Sequence, residues 1–578
     1  AQASSGTYAG AMSGTGTLTK TASGTLALSG TNSYSGGTVV SAGRLVGTTA
    51  SLQGPITNDA AVEFSQATSG TYSGAMFGSG SFTKSGAGSL TLTGANSYSG
   101  DTTVSAGRLV VTATTLPGGI TNDATVEFAQ ATSGTYSGSV AGGGAVVKSG
   151  TGTLTLTGSN SYSGGTTISA GRLVGTTASL QGAIANGAVV AFDQTTTGTY
   201  TGSLSGAGAL EKVGTGTVVL GAANAHAGGT TVKQGTLAVT VDGALGTPGT
   251  PTGVIYGTGV GTVPASGTAR DANWDLVAVP STWGSAPAGV PYDAYVVRSV
   301  SGLWVGGTNG SGVQNGSTSS GTTVYWIAPQ STTAQLVSGN YNWIVAQPFT
   351  VVRDGAYAFS FGGGGDDQIS FFIDGSINTS NPVLPVISGG QQIGSTWNSY
   401  TQLGTLSGTA SLTAGTHMAY MVLNDFGGAT GAMITQSTFT PPAGTIVAAG
   451  ATLDLRNVAY ATTDVLTLQG STLAATSGTS SWAGSVAMTA ASTVAVDGSV
   501  LTIAGAMSGT SGLTKTGIGN LILGATSTYT GPTTVSAGRL SVNGALGNTA
   551  VTVASSGELG GSGSIVGALA VLSGGTLS

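Results

Sequence analysis

A passage of near-identical text returns at one fixed interval, so the first part of the chain must be one structural unit stacked on itself. Tyr34, Tyr98 and Tyr162 sit in NSYSGGT, NSYSGDT and NSYSGGT, evenly spaced along the chain, and a fourth copy reads NAHAGGT with His226 in register. Tyr8, Tyr72, Tyr136 and Tyr200 keep the same step, as do Lys20, Lys84, Lys148 and Lys212. So do Phe64, Phe128 and Phe192, and Arg44, Arg108 and Arg172. Four tandem units therefore fill the chain from Ala1 to about Leu245.

Within a unit, short β-prone runs such as Thr25-Leu26-Ala27-Leu28, Thr38-Val39-Val40, Arg44-Leu45-Val46 and Ala61-Val62-Glu63-Phe64 are divided by Gly, Ser, Asn and Asp. No stretch keeps an apolar period of about 3.6 residues with caps, so helices should be scarce. Each run buries little by itself. Stacked about 4.8 Å apart, successive runs pair above and below and share one aliphatic core. Gly and Asn then belong at corners, where the backbone needs positive φ or close approach. A 64-residue unit reads as about three coils of roughly 20 residues. With the middle of the chain set aside, about 18 to 20 coils would make a rod on the order of 90 Å. The expected fold class is all-β, a parallel β-helix or β-solenoid.

Composition narrows the function classes. Only 6% of residues are charged and 102 are Gly, yet 39% are hydrophobic and the mean hydropathy is +0.27, which favours ordered burial over disorder. A net charge of −6 with 14 Lys plus Arg spread thinly gives no basic footprint for nucleic acid. Zero Cys and two His, His226 and His417, leave no disulfide framework, thiolate site or His-rich metal centre. Ala1 reads as a mature or trimmed N-terminus. The longest apolar stretches, such as Ile565 to Leu572, fall short of the roughly 20 residues that span a bilayer.

The text GTGTLTLTGSNSYSGGTTISAGRLVG, from Gly150 to Gly175, closely resembles the passenger-associated transport repeat of autotransporters, and the pattern recurs at Gly24, Gly88, Gly214 and Gly517. That resemblance implies a right-handed parallel β-helix, exported from a Gram-negative bacterium through a C-terminal outer-membrane translocator barrel. It also implies a secreted chain at the bacterial outer surface or in the extracellular matrix. The chain reaches Gly574-Gly575-Thr576-Leu577-Ser578 inside what reads as another coil, so a truncated or processed segment is expected.

Comparing the chain with itself locates an insertion. The repeat runs through Val241-Asp242-Gly243-Ala244-Leu245-Gly246, is lost, and resumes at Ile446-Val447-Ala448-Ala449-Gly450. The later text Val542-Asn543-Gly544-Ala545-Leu546-Gly547 repeats the first boundary and continues, after Asn548, Thr549 and Ala550, into Val551-Thr552-Val553. The expected domains are a solenoid over 1–246, an inserted β-sandwich over 247–445 and solenoid again over 446–578. A surface turn accepts such an insertion because neither the core nor the ladder is broken. Six of the seven Trp fall in the insertion, so it needs its own core. Alternation in Tyr357 to Phe361, Ile369 to Ile373 and Met418 to Leu423 suits an antiparallel sandwich. Segments such as Asp271-Ala272-Asn273-Trp274 and Tyr325-Trp326-Ile327-Ala328-Pro329 resemble the galactose-binding-like jelly rolls of exported, often PEP-CTERM-anchored, bacterial proteins.

The candidate site is Asp366-Asp367, which follows four Gly and precedes a hydrophobic run ending in Asp374-Gly375. With Asn378, Asn424 or Asp425 nearby, the pair would offer the hard oxygens Ca²⁺ takes. Its spacing also resembles the Asp-Asp loop of protective-antigen-type lectin jelly rolls. The bland reading is a hairpin whose carboxylates cap amides or stay solvated. The repeated Tyr read as packing over turns, and the Lys and Arg series as cations near coil edges. Carboxylates such as Glu63 and Glu127 recur in equivalent places and neither His sits in a nucleophile elbow, so no enzyme is expected. The chain reads as a non-catalytic surface adhesin or matrix stalk, with a homopolymeric filament as its sharper form. Its alternatives are a Ca²⁺-dependent glycan-binding adhesin and, third, a polysaccharide-degrading enzyme. Expected partners are other copies of the chain, surface glycans and the translocator barrel during export.

Overall fold

In the computed structural model the described residues are 3–246 and 444–578, Thr462 excepted, together with strand segments between Gly253 and Thr440 whose backbone pairing alone is described. The chain divides into two units, residues 1–249 with 443–578 and residues 250–442. The first unit is a parallel β-solenoid of about 19 turns, with no helix among the described residues.

Each turn lays strands along three faces. The first face begins with Gly6–Tyr8, the second with Leu18–Lys20 and the third with Gly70–Tyr72. Period-two alternation sends every second side chain inward, and register stacks those side chains into ranks. On the first face Leu26, Leu45, Val62, Phe82, Thr102, Ile120 and Val140 are successive rungs. Leu45, Phe82 and Val140 are fully buried there. A strand of three to five residues would not hold alone, but burying each such side chain contributes about 1.5–3 kcal/mol.

The turn length is uneven, and this refines the expected count of about three coils per unit. The chain advances by unequal steps from Leu26 to Leu45, to Val62 and to Phe82, the middle step being the shortest. The first face continues through Ser161 and past Gln181, whose amide donates to the Tyr162 hydroxyl. It then passes through Gly198 to Val218. Leu26 and Val218 lie three sequence units apart and are separated by ten turns, so one unit spans three and a third turns. Each unit therefore starts one face on from the last. Lys20 is on the second face, Lys84 on the first, Lys148 on the third and Lys212 on the second again.

Corners are closed by side chains that reach between turns. Asn160 accepts from the Val140 amide at 2.8 Å and donates to the Ser179 carbonyl at 2.6 Å, tying the turns below and above. Asn32, Asn96 and Asn224 do the same one unit apart. Glycine is required where turns touch: a Cβ on Gly158 would lie 2.3 Å from the Gly138 carbonyl oxygen. Replacing Asn160 by Ala strands a buried amide and a buried carbonyl, so we expect a loss of about 2 to 4 kcal/mol. Hydrogen exchange should show it, with the Val140 amide losing protection ahead of strands three turns away.

The solenoid continues across the insertion without losing a rung. Thr230, Thr231 and Val232 pair with Thr445, Ile446 and Val447, and Thr236 to Val239 pair with Thr452 to Leu455. In the second unit the described ladders run antiparallel. Tyr341–Val351 pairs with Gly415–Asp425 along its whole length, and Gly355–Gly365 pairs with Gly404–Leu412.

Candidate functional site

The repeated lysines turn inward, and this corrects their reading as cations near coil edges. Lys148 is fully buried. Its ammonium donates to the carbonyls of Ser149 at 2.8 Å, Gly150 at 2.6 Å and Ala170 at 3.1 Å, one turn on. Lys84, Lys212 and Lys515 each hold the equivalent three carbonyls, and Lys20 holds those of Ala22 and Ala42. Five of the six lysines are thus internal corner clamps. Burial pulls Lys148, Lys212 and Lys515 down to about 8, with Asp193 and Asp497 opposing the shift at the last two. It lowers Lys84 as well.

The tyrosines are structural in the same way. Tyr98 and Tyr162 bond Thr102 and Thr166 at 2.7 Å, while Tyr136 and Tyr200 donate to the carbonyls of Gly118 and Gly182 at 2.5 and 2.6 Å. His226 takes the place of one such tyrosine, with Nε2 3.0 Å from the Thr230 hydroxyl. Thr230 gives its own proton to the Leu245 carbonyl at 2.9 Å, so Nε2 carries the hydrogen. The imidazole thus has a structural partner, as the tyrosines do.

The described arginines stay near the surface and meet carboxylates. Arg44 meets Glu63, and Arg108 meets Glu127 at 2.5 Å. Glu63 and Glu127 also accept from Ser85 and Ser149. In the third unit Ala191 stands where the carboxylate should be, and its neighbour one turn on, Glu211, takes over. Glu211 binds Arg172 at 2.6 Å and Lys233 at 2.8 Å. Arg539 and Glu558 repeat the pairing at 2.9 Å near the C-terminal end. A half-exposed pair such as Arg539–Glu558 contributes at most about 1 kcal/mol.

The attachment of the insertion interrupts this regularity. Gly246 follows the positions of Gly54, Gly118 and Gly182 by successive units, and all four have positive φ, at 91°, 65°, 70° and 65°. The residue after the glycine is Pro55, Gly119 or Ala183 in the first three units, and Gly444 once residues 247–443 are passed over. The Leu245 amide donates to the Tyr460 hydroxyl at 3.0 Å, and the Ala461 amide donates to Asp242 at 3.0 Å. The Tyr460 ring stacks on Trp482 at 4.8 Å. The turn is therefore pinned by the coil that follows the insertion.

Asp366 and Asp367 lie outside the described residues. Among the described residues no group of three or more His, Cys, Asp or Glu is placed to hold a metal ion. No helix of the described residues is long and apolar enough to cross a membrane.

Five segments, residues 18–46, 82–111, 146–174, 210–239 and 513–542, match the passenger-associated-transport-repeat family. These repeats and the parallel solenoid fit an autotransporter passenger. A search of curated proteins found no match. Among solved structures, a carbohydrate-binding module from Cellvibrio mixtus lichenase 5A, complexed with cellotriose, is similar over 22% of this chain and 86% of its own, at 11% identity and a TM-score of 0.14. A C-terminal module of a Zobellia galactanivorans laminarinase is similar over 22% and 87%, at 16% identity and a TM-score of 0.14. The enzymatically active domain of tailspike protein 4 from bacteriophage CBA120 is similar over 73% and 64%, at 10% identity and a TM-score of 0.16. Scores this low carry no argument about binding or activity.

Proposed function

We propose that the chain is a non-catalytic autotransporter passenger that stands on the bacterial outer surface as a stalk and presents the insertion as its adhesive unit. The observation that carries this reading is the unbroken ladder from Thr230 to Thr445, since a solenoid that passes an insertion without altering one rung is a scaffold for what it carries. Its described polar groups support that role: buried lysines and asparagines hold turns together, and arginines meet glutamates. The insertion is an antiparallel sandwich of jelly-roll type. Its partners are surface glycans, neighbouring cells or further copies of the chain, the last giving a matrix or filament. The outer-membrane barrel is the partner during export.

Cells displaying the whole chain should adhere or aggregate, and cells displaying the chain without residues 247–443 should show equal surface antigen and lose that adhesion. Equal adhesion by both would sink the assignment. Ca²⁺-dependent glycan recognition through Asp366 and Asp367 is the second reading, resting on a pair of carboxylates beside four glycines. A glycan array separates the two. Retention that needs Ca²⁺ and disappears in Asp366→Ala and Asp367→Ala favours the lectin, and a silent array favours the stalk with protein partners.

A further inference from the structure

The mismatch between unit and turn has a consequence for where the insertion is attached. Gly54 turns the chain onto the second face at Ile56, Gly118 onto the first at Ile120 and Gly182 onto the third at Ile184. Gly246, with Gly444, leads to Thr445. The ladder above Thr445 descends through Thr230 and Leu210 to Gly134–Tyr136. Below that, the Tyr136 hydroxyl bonds the Gly118 carbonyl and the Ser97 amide bonds the Met76 carbonyl, so this ladder is the second face. The same turn thus visits all three corners before returning, and the insertion occupies the fourth copy, ten turns from Gly54 and at the same corner.

We propose that the 64-residue unit is a one-third-turn step, so that repeat number sets the side of the solenoid on which the insertion is attached as well as its height. One unit gained or lost moves the attachment turn to the next corner and shifts it by about 16 Å along the axis. Three units gained or lost restore the corner and change only the height, by about 48 Å. The joint is matched locally, because Tyr136 and Tyr200 donate to equivalent carbonyls, those of Gly118 and Gly182. A stalk built on a whole number of turns per unit would have no such property. Its insertion would stay on one side whatever the copy number. The inference rests on the ladder alone and holds whatever the insertion binds.

The chain has no Cys, so paired spin labels on introduced cysteines can test it in the full-length protein. Thr121, Thr125 and Thr135 lie within one turn on the first, third and second faces. Thr467, one turn beyond the attachment, lies on the second face, seven turns from Thr135. In the full chain the Thr135–Thr467 pair should be the shortest of the three, with about 34 Å between rungs. Removing residues 137–200 joins Tyr136 to the sequence after its equivalent Tyr200. Thr125 should then share a face with Thr467, four turns away at about 20 Å, and become the shortest pair although Thr135 is nearer in sequence. Should that variant fail to fold, removing residues 145–208 takes out the same length at a different joint, with Gly144 set before Ala209 in place of its equivalent Gly208, and should give the same ranking. Thr135 remaining the shortest pair in a folded variant of either kind would overturn the proposal.

Discussion

Lys148→Met should lower the protection of the surrounding strands about a hundredfold, although Met fills much the same space. Three carbonyls, those of Ser149, Gly150 and Ala170, lose one donor together, and no water reaches a side chain with zero exposure to replace it. Charge-assisted bonds contribute about 1.5–3 kcal/mol each and are not additive, so about 3 kcal/mol for the set is the expected loss. Hydrogen exchange of Ala145–Ser149 and Thr166–Ile168 is the measurement, because a solenoid opens locally and each turn contacts only its neighbours. Lys148→Ala with ammonium salts adds a second readout. Ammonium should recover part of the protection where sodium does not, and no difference between the two salts would show that the cage is indifferent to its cation.

The same lysines set the pH dependence. Lys148, Lys212 and Lys515 have folded values near 8 against 10.5 for the free side chain. Between those values the unfolded chain binds more protons than the folded one, so stability rises with pH across that window. Below about 8 both states carry the proton and this contribution is flat. The tyrosines act in the opposite sense. Burial raises Tyr72, Tyr98, Tyr136, Tyr162 and Tyr200 above their usual 10 and pushes Tyr529 up to about 12. Their contribution is complete below pH 10 and is lost as pH climbs through the folded values. Melting temperature should therefore peak near pH 10, and Lys148→Met should reduce the rise from pH 8 while leaving the alkaline fall unchanged.

The stacking of short strands was legible because period and parity are written directly in the residues. Leu26, Leu45 and Val62 alternate with polar neighbours, and a repeat with no helical period has few other ways to bury them. The inward lysines were legible in principle by the same parity. Leu18, Phe82, Val146 and Leu210 point inward, so Lys20, Lys84, Lys148 and Lys212, two positions on, must also point inward. Charge overrode pattern in that reading, because a ring of backbone carbonyls able to replace water around an ammonium leaves no mark in the text. The phase of three and a third turns was hidden because the rungs are unevenly spaced, Leu45 to Val62 being a shorter step than Val62 to Phe82, and no single step divides the unit evenly. The pairing of Arg172 with Glu211 becomes visible only once Ala191 is known to stack directly against Glu211 on the next turn. Asp366 and Asp367 rest on sequence alone.

A chain lacking residues 247–443, with Gly246 joined to Gly444, should fold into the same solenoid with unchanged protection on both sides of the joint. Counted through that joint, the step from Thr230 to Thr445 equals the steps from Thr38 to Ile56, from Thr102 to Ile120 and from Thr166 to Ile184. The joined turn thus has the length its three predecessors use, and Gly246 already has the positive φ that Gly54, Gly118 and Gly182 adopt there. Asp242, Leu245, Tyr460 and Ala461 all remain, so the two bonds that pin the turn remain too. A third of the chain is removed without exposing a rank of the core, and exchange in Thr230–Val232 and Thr445–Val447 should stay within about twofold of the whole protein. Extending the deletion to residues 240–443 removes the pinned turn and leaves too few residues to round the corner, so protection on both strands should collapse. If the shorter deletion collapses as well, the insertion is part of what holds the solenoid together, and the stalk cannot be treated as a scaffold independent of what it carries.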